Sequence, residues 1–271
     1  MNSSTVVWIT GAGTGLGRAL AQDYATQGAS VALSGRRVAP LEAVAKDIRS
    51  AGGEALVVPL DVTDHAAVTE TVHAVVDWKG RLDTVVANAG YGCAGTFSAL
   101  SIEDFRRQFD VNFFGLIATA KASLPYLQKT KGRLALIGSV AAFYGLPNSG
   151  AYSASKAALR ALGQSMAVEL EGTGVSVTVV HPGFVESDIY KVRNDQTIDD
   201  TRKDARPQKL MWKAPRAARV MARAIEGRKR DFVFTGHGRL GAFLMQHFPG
   251  FTHFVLTRPA SRKSADAFDK T

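Results

Sequence analysis

Residues 6–17 read VVWITGAGTGLG, a short apolar run followed by glycines at positions 11, 13, 15 and 17. An apolar run of this length, rich in β-branched residues, is typical of a strand buried inside a parallel sheet. Glycine lets the backbone turn tightly. The residues that follow, Arg18 to Gln27, have a helical pattern that ends at Gly28. This stretch therefore predicts a strand, a glycine-rich loop and a helix.

The alternation of strand and helix continues along most of the chain. Seven strands are predicted, at Val6–Thr10, Ser30–Ser34, Ala55–Pro59, Leu82–Ala87, Arg133–Ile137, Val175–Val180 and Asp231–Phe234. Helices are predicted at Arg18–Gln27, Pro40–Ser50, Asp64–Trp78 (N-cap Asp64 or Thr63), Glu103–Leu127 and Tyr152–Leu170. Length and alternation together predict one α/β domain over residues 1–271. The predicted domain is doubly wound and Rossmann-type, with a mostly parallel seven-stranded sheet and helices on both faces.

The glycine-rich loop is a candidate binding site for a dinucleotide. Ligands of doubly wound sheets bind beyond the carboxyl ends of the strands. There, a helix N-terminus offers N–H groups and positive dipole to a pyrophosphate. The spacing is G-x-x-x-G-x-G rather than the G-x-G-x-x-G fingerprint, so the prediction depends on the loop's position after the first strand. The candidate cofactor-binding residues here are Gly11, Gly13, Thr14, Gly15, Leu16 and Gly17.

The end of the second predicted strand indicates which dinucleotide is bound. An acidic residue normally stands there and binds the adenosine ribose of NAD. This chain has Gly35 followed by Arg36 and Arg37. Guanidinium groups suit a 2′-phosphate, which they bind through charge-assisted contacts. The sequence therefore favours NADP(H) over NAD(H), with a surface-exposed basic turn as the alternative.

Tyr152 and Lys156 lie four residues apart in a predicted helix, so their side chains share one face. A phenol ionises near pH ~10, too high for efficient proton transfer at neutral pH. A nearby lysine cation is expected to lower the pKa of Tyr152 and make it a usable general acid or base. Ser139 is expected to donate a hydrogen bond to the oxygen that gains or loses the proton. The alternative is a Tyr-x-x-x-Lys pair of the kind common on helix surfaces.

Composition limits the class of protein. Hydrophobic residues make up 46% and charged residues 21%, which indicates a folded core rather than disorder. The single cysteine, Cys93, cannot form an internal disulfide and is interpreted as buried filler; no metal site is predicted. No apolar stretch is long enough for a signal peptide or a membrane span, so a cytoplasmic location is expected. No nucleic-acid recognition motif is present.

The net charge of +9 comes from the C-terminal part of the chain. Residues 1–190 hold 15 Lys or Arg and 16 Asp or Glu (−1), and residues 191–271 hold 18 and 8 (+10). Residues 190–215 are polar and weakly periodic, which predicts a mobile substrate-loop region. Residues 236–271 form a basic, aromatic C-terminal extension. Within it, residues Leu240–Leu256 are interpreted as a flap over the pocket or a subunit contact, or alternatively, together with the basic tail, as a peripheral membrane contact.

Several motifs occur together in one order. They are Thr10-Gly-x-x-x-Gly-x-Gly17, Asp61-Val62, Asn88-Ala89-Gly90, Asn112, Ser139, Tyr152-x-x-x-Lys156 and Pro182-Gly183. Through them, residues 5–235 resemble the short-chain dehydrogenase/reductase superfamily, in its group of enzymes of about this length. The resemblance implies an NADPH-dependent oxidoreductase that transfers a hydride between the cofactor and a carbonyl or secondary alcohol. One alternative is a non-catalytic NADP-binding regulatory protein. Another is an enzyme that uses the same cofactor for epimerisation or dehydration.

The resemblance also implies roles for single residues. Tyr152 would transfer the proton, Lys156 would lower its pKa and hold the nicotinamide ribose, and Ser139 would polarise the carbonyl. Asn112 would hold a water that links Lys156 to solvent, with a purely structural hydrogen-bonding role as the alternative. The other implied cofactor-binding residues are Asp61, Val62, Asn88, Ala89, Gly90, Tyr152, Lys156, Pro182, Gly183, Val185 and Ser187. Family members usually have threonine where Ser187 stands.

Loop residues give an indication of the substrate. Tyr91, Phe143, Tyr144, Leu146, Phe184 and Ile189 fall on loops expected near the site. Their apolar character favours a hydrophobic ketone or alcohol, and the candidate substrate-binding residues are Ser139, Phe143, Tyr144 and Phe184. The resemblance further implies a homodimer or homotetramer formed through the helices at Glu103–Leu127 and Tyr152–Leu170.

Overall fold

The structure, a computed structural model, describes residues 5–258, so residues 1–4 and 259–271 of the predicted domain and extension lie outside the described residues. Seven strands form one sheet, in the order β3-β2-β1-β4-β5-β6-β7. They are β1 (Val6–Thr10), β2 (Ser30–Gly35), β3 (Glu54–Pro59), β4 (Thr84–Ala87), β5 (Arg133–Ile137), β6 (Ser176–His181) and β7 (Asp231–Val233). Every neighbouring pair is parallel. The predicted doubly wound α/β fold is confirmed.

The helices are α1 (Gly15–Thr26), α2 (Val38–Ser50), α3 (His65–Lys79), α4 (Ile102–Phe109), α5 (Gly115–Thr130), α6 (Gly150–Glu169), α7 (Ala214–Glu226), α8 (Gly236–His247) and α9 (Pro249–Leu256). The prediction of one helix over Glu103–Leu127 is wrong in one respect. A π-helical segment, Asp110–Phe114, separates α4 from α5. Helices α7, α8 and α9 were not predicted. None of the helices in the described part of the chain is both long and apolar enough to cross a membrane.

The choice between Thr63 and Asp64 as the N-cap of α3 is settled by hydrogen bonds. The Asp64 carboxylate accepts from the backbone N–H groups of Ala66 and Ala67. These bonds satisfy donors that have no partner within the helix. The helix ends at Gly80, whose φ of 70° lies in the left-handed region that glycine adopts without strain.

The core consists of two apolar layers, one on each face of the sheet. Strand β1 shows why its sequence is apolar throughout. Val7 and Ile9 point into one layer, whereas Val6 and Trp8 point into the other. The indole N–H of Trp8 donates to the hydroxyl of Ser34 at 2.9 Å, which satisfies a polar group inside the core.

The strand order reverses at β1, which has β2 on one side and β4 on the other. The helices that follow β1 and β4 therefore cover opposite faces of the sheet, and a crevice opens between them at the carboxyl ends of the strands. The loops after β1, β4, β5 and β6 converge on this crevice, and the candidate site lies there.

Candidate active site

One cavity occupies the crevice and collects residues from loops that are far apart in sequence. Every predicted cofactor-binding residue lines it: Gly11, Gly13, Thr14, Gly15, Leu16, Gly17, Arg36, Arg37, Asp61, Val62, Asn88, Ala89, Gly90, Tyr152, Lys156, Pro182, Gly183, Val185 and Ser187. Ser139 lines it as well. Asn112, Phe143, Tyr144 and Phe184 are not among the lining residues. The roles assigned to the lining residues remain predictions, since the structure gives their positions only.

Two glycines of the glycine-rich loop, Gly11 and Gly17, occupy positions with no room for a side chain. Gly11 has a φ of 67°, and a Cβ atom there would lie 2.9 Å from the Cα atom of Ala89. A Cβ atom on Gly17 would lie 2.7 Å from Nδ2 of Asn88. That amide donates to the carbonyl oxygens of Thr10, at 2.9 Å, and Gly11, at 3.2 Å, which fixes the loop against β4. The loop is thus a rigid, backbone-lined cradle.

Helix α1 begins at this cradle. Its N-cap residue, Thr14, makes no side-chain capping hydrogen bond, so the first backbone N–H groups of the helix lack that partner. Thr14, Gly15 and Leu16 all line the cavity. Free N–H groups at a helix N-terminus attract anions, and the narrow backbone cradle beside them fits a pyrophosphate.

Two arginines stand at the end of the cavity formed by β2. Arg36 and Arg37 are both exposed and both line the cavity. The Nη1 atom of Arg36 donates to Oε1 of Gln196, which lies in the predicted loop region 190–215. Sequence reasoning missed Gln196, because no local pattern links two residues 160 positions apart.

Tyr152, Lys156 and Ser139 meet at the other end of the cavity, near the start of α6. The Nζ atom of Lys156 lies 5.8 Å from the centre of the Tyr152 ring and donates to the carbonyl oxygen of Ile137 at 2.8 Å. The side chains of Tyr152 and Ser139 are hydrogen-bonded to each other. The hydroxyl of Ser139 also accepts from the backbone N–H of Ala141 at 3.1 Å. The three side chains therefore share one site, as their spacing predicted.

The expected effect of Lys156 on Tyr152 is not what the structure shows. Burial raises the pKa of Tyr152, and this effect exceeds the lowering caused by the hydrogen bond with Ser139 and by the charge of Arg206. Burial also lowers the pKa of Lys156 to about 8, because a charged amine is disfavoured away from water. The prediction of a lowered tyrosine pKa is thus wrong for this arrangement, since burial outweighs the neighbouring groups.

Arg206 lines the cavity and was missed by sequence reasoning. Its guanidinium binds both carboxylate oxygens of Asp204, at 2.8 Å each. The same group donates to the carbonyl oxygen of Val185 and to both the hydroxyl and the carbonyl oxygen of Ser187. Burial alone would raise the pKa of Asp204, but the hydrogen bonds and charge of Arg206 lower it. Arg206 therefore fixes the loop after β6, which holds predicted cofactor-binding residues.

Asn112 lies in the π-helical segment and is fully buried. Its Oδ1 atom accepts from the backbone N–H of Tyr91 at 3.0 Å, and its Nδ2 atom donates to the carbonyl oxygen of Tyr91 at 2.9 Å. A longer bond of 3.4 Å reaches the hydroxyl of Ser155. These bonds hold the segment that carries Tyr91 against the cavity, and they agree with the structural alternative. The water-holding role of Asn112 stays a prediction.

Two of the aromatic substrate candidates pack elsewhere. The ring of Phe143 lies 4.9 Å from the ring of His181, with the guanidinium of Arg160 at 4.3 Å from its centre. The ring of Phe184 stacks on His237 at 5.3 Å. The apolar wall of the cavity comes instead from Tyr91, Ile189, Val192 and Ile198. Of the predicted loop aromatics, Phe143 and Phe184 thus pack on histidines, whereas Tyr91 lines the cavity; their roles toward a substrate stay predictions.

Cys93 is buried, and burial raises the pKa of its thiol to about 11. A thiol with a raised pKa carries little thiolate at neutral pH and is a poor nucleophile. Within residues 5–258, no three His, Cys, Asp or Glu side chains converge in a way that could hold a metal ion.

Comparison with known proteins gives consistent matches. The family model for short chain dehydrogenase matches residues 5–198. An uncharacterised oxidoreductase of Myxococcus xanthus is 42% identical over 187 residues, which is 69% of this chain and 74% of that protein. The 11-beta-hydroxysteroid dehydrogenase 1A of Arabidopsis thaliana is 40% identical over 193 residues, 68% of this chain. The match covers 53% of that plant protein, so this chain spans about half of its length.

A solved structure agrees with these relatives. An alcohol dehydrogenase from the archaeon Thermococcus sibiricus, complexed with 5-hydroxy-NADP, has a TM-score of 0.74 at 30% identity. The superposition covers 85% of this chain and 95% of that one. The matched family model spans more than half of the described residues and includes the glycine-rich loop, Ser139, Tyr152 and Lys156. This chain belongs to the short-chain dehydrogenase/reductase family of oxidoreductases.

Proposed function

We propose that this chain is an NADP(H)-dependent oxidoreductase that transfers a hydride between the nicotinamide cofactor and a carbonyl or secondary alcohol. The observation that supports this most strongly is the placement of the hydrogen-bonded Ser139–Tyr152 pair and the buried Lys156 at one end of a single cavity. The other end holds the glycine cradle and two arginines. A cavity with an anion-binding end and a proton-transferring end suits this reaction.

The residues present fit a phosphorylated dinucleotide. The cradle at Gly11 and Gly17 admits only backbone, so a pyrophosphate can approach the N–H groups of α1 closely. No acidic residue follows β2, where Gly35, Arg36 and Arg37 stand instead. Arginine binds phosphate through charge-assisted, often bidentate hydrogen bonds, which supports NADP(H) over NAD(H). The Thermococcus sibiricus relative, complexed with 5-hydroxy-NADP, supports the same choice.

The chain's own groups supply the acid–base part of the reaction. When bound, the nicotinamide would supply or accept the hydride. Tyr152 would give its phenolic proton to the carbonyl oxygen, and the reverse transfer would accompany alcohol oxidation. Ser139, already hydrogen-bonded to Tyr152, would donate to the same oxygen and stabilise the charge that develops on it. The charge of Arg206 favours the phenolate left after the transfer.

The substrate class is proposed to be a hydrophobic ketone or alcohol. The cavity that holds Tyr152 is also lined by Tyr91, Ile189, Val192 and Ile198, which are all apolar or aromatic. Apolar side chains of this kind fit a ligand that has one reactive oxygen on a hydrocarbon body. The relative from Arabidopsis thaliana, a hydroxysteroid dehydrogenase by name, supports an apolar substrate.

A homodimer or homotetramer in the cytoplasm is proposed for the assembled protein. Large apolar side chains are exposed on or beside the helices that the family resemblance names for subunit contact, namely Ile102, Phe114 and Val168. Side chains of this size on the surface of a monomer are candidates for burial between subunits. Light scattering on the purified chain tests this proposal directly.

The experiment for the proposed function follows NADPH consumption by absorbance with aromatic, steroid, acyl and small ketones. Oxidation of NADPH with an apolar ketone, lost in the Tyr152→Phe variant, is the expected result. NADPH binding without turnover of any ketone or of the matching alcohols with NADP⁺ would instead favour the non-catalytic regulatory protein.

A further inference from the structure

The helix pair α8–α9 exposes an unusual amount of apolar surface. Six large apolar side chains, from 42% to 60% exposed, lie on it: Leu240, Phe243, Phe248, Phe251, Phe254 and Val255. We call this set the aromatic face. Phe251, Phe254 and Val255 follow helical spacing along α9, so they share one side of that helix. Exposed patches of this kind mark interaction sites.

The aromatic face lies apart from the lining of the cavity. None of its six side chains lines the cavity, although the C-terminal extension was predicted as a flap or a subunit contact. The start of α8 nevertheless lies beside the active site. The Nε2 atom of His237 accepts from the backbone N–H of Phe184 at 3.0 Å, and a Cβ atom on Gly238 would lie 2.9 Å from Val140. The face is thus attached to the two loops that hold Ser139 and Pro182-Gly183.

The charge around the aromatic face is positive. No Asp or Glu occurs between Phe232 and Arg258. Arg239 lies on α8 and Arg258 lies just after α9, and both are cationic. The guanidinium of Arg258 lies 4.3 Å from the centre of the Phe254 ring, so a cation borders the apolar surface directly. Helices that combine aromatic side chains with Lys and Arg bind at the interface of anionic membranes.

The same charges argue against a second copy of the chain as the occupant. A symmetric dimer through this face would bring Arg239 and Arg258 toward the equivalent residues of the other copy. Like charges placed opposite each other oppose association. Anionic headgroups, in contrast, are complementary to the face, and their acyl chains offer an apolar phase for the phenylalanine rings.

We propose that the aromatic face of α8–α9 docks on an anionic lipid surface. The α8 end of the face lies beside the Ser139 and Pro182-Gly183 loops, so docking places the active site next to the bilayer. An apolar substrate dissolved in that bilayer then has a short path to the site; this last step rests on the proposed function, whereas the docking itself does not.

The test uses the full chain and lipid vesicles of phosphatidylcholine with or without phosphatidylglycerol. The chain is expected to co-sediment with the anionic vesicles at low salt, and to bind several-fold less to neutral vesicles or at high salt. The double variant Phe251→Ser/Phe254→Ser is expected to weaken binding roughly tenfold or more, since two inserted rings are lost. Phe97→Ser is the matched control, because Phe97 is 89% exposed and lies outside the face.

Two outcomes would overturn the proposal. The first is the absence of binding to anionic vesicles, or equal binding by the double variant and the wild-type chain. In the second, the wild-type chain is a dimer, the double variant is a monomer, and neither binds vesicles. That result would assign the aromatic face to self-association. Thermal melting and oxidation of NADPH with a water-soluble ketone verify that the variants are folded. Sedimentation needs no turnover, so failure of the proposed reaction would leave its result intact.

Discussion

The Nε2 atom of His181 lies 2.8 Å from Oδ1 of Asp231, so a fully buried histidine at the end of β6 is paired with a carboxylate at the start of β7. The same carboxylate lies 3.2 Å from Nε of Arg160. The other ring nitrogen, Nδ1, lies 3.0 Å from the carbonyl oxygen of Ser139. Both ring nitrogens of His181 thus lie close to oxygen atoms, one of Asp231 and one of the Ser139 backbone. His181 therefore links the backbone carbonyl group of Ser139 to the side chain of Asp231.

Asp231→Asn tests this pair through stability. The substitution removes a carboxylate that lies 2.8 Å from His181 and 3.2 Å from Arg160, and losing a hydrogen bond to a charged group costs about 1.5–3 kcal/mol. Asp231 is 30% exposed, so the lower end, about 1.5 kcal/mol, is expected. Urea unfolding at neutral pH measures the loss. The double variant His181→Asn/Asp231→Asn is the control, and it is expected to lose less than the sum of the two single variants.

The pH dependence of the same variant has a defined sign. Burial acts to raise the pKa of Asp231, but His181 and Arg160 outweigh it and the pKa is lowered. A carboxyl with a lowered folded-state pKa stabilises the fold above its unfolded pKa, and this stabilisation is lost as the pH falls through the folded value. The stability difference between wild type and Asp231→Asn is expected to shrink in acid. A difference that is constant from neutral pH to strong acid contradicts the assignment.

Tyr152→Phe tests the proton transfer. The variant keeps the ring that lines the cavity and removes only the hydroxyl that is hydrogen-bonded to Ser139. Turnover is expected to fall by about 10²–10⁴-fold, which is the usual contribution of general acid–base catalysis. NADPH affinity, measured by fluorescence titration, is expected to change little. Turnover equal to that of the wild type would remove Tyr152 from the mechanism.

Arg36→Asp tests the preference for NADP(H). The side chain is exposed at the β2 end of the cavity, so its loss affects ligand binding more than folding. A hydrogen bond to a charged group contributes about 1.5–3 kcal/mol, so NADPH affinity is expected to fall roughly 10–100-fold while NADH affinity holds or rises. Arg106→Asp is the control for net charge, since Arg106 is exposed on α4 and outside the cavity. Full NADPH affinity in Arg36→Asp contradicts the proposal.

Lys156→Met tests whether the buried amine titrates near neutral pH. Burial lowers its pKa from 10.5 to about 8, so between these values the unfolded chain holds a proton that the native chain has released. Native stability therefore rises with pH across this window, by at most about 3 kcal/mol. The variant lacks this group and is expected to show a smaller rise in urea unfolding between neutral and alkaline pH. Identical slopes for the two proteins would place the pKa of Lys156 at its ordinary value.

The sheet and the cofactor loop could be predicted because their signals are local. Strand β1 is buried on both faces, and its five residues are accordingly all apolar or β-branched. Gly11 and Gly17 indicate positions where the loop backbone lies too close to neighbouring residues for any side chain. The cofactor-binding residues predicted from the glycine-rich loop and those implied by the family resemblance line one cavity.

Other features depend on contacts between distant residues and left no local signal. The π-helical break between α4 and α5 accompanies hydrogen bonds that Gln108 and Asn112 make to the backbone around Tyr91. Those bonds join residues that are distant in sequence, so the local sequence pattern still predicts one continuous helix across the break. Likewise, the sequence around Phe143 is typical of a loop that borders a pocket, but in the structure its ring packs on His181 at the end of β6.

Arg206 is expected to be a positioning residue for the proposed reaction. Its guanidinium holds Val185 and Ser187 in place and is itself fixed by Asp204. Arg206→Lys keeps the charge but cannot form the same set of bonds. Misplacing the loop beside the reacting atoms by about 1 Å can cost on the order of 10²-fold in rate, so kcat/KM is expected to fall substantially in this variant.

Arg206→Gln separates the charge of this residue from its bonds. The positive charge lowers the pKa of Tyr152, so its removal raises that pKa further. For carbonyl reduction the phenol is active while protonated, and the alkaline limb of the kcat/KM profile is therefore expected to move to higher pH in Arg206→Gln. In Arg206→Lys the limb is expected to stay in place although kcat/KM falls. A merely structural role would lower the rate of both variants without moving the limb, and that pattern would dissociate Arg206 from the titration of Tyr152.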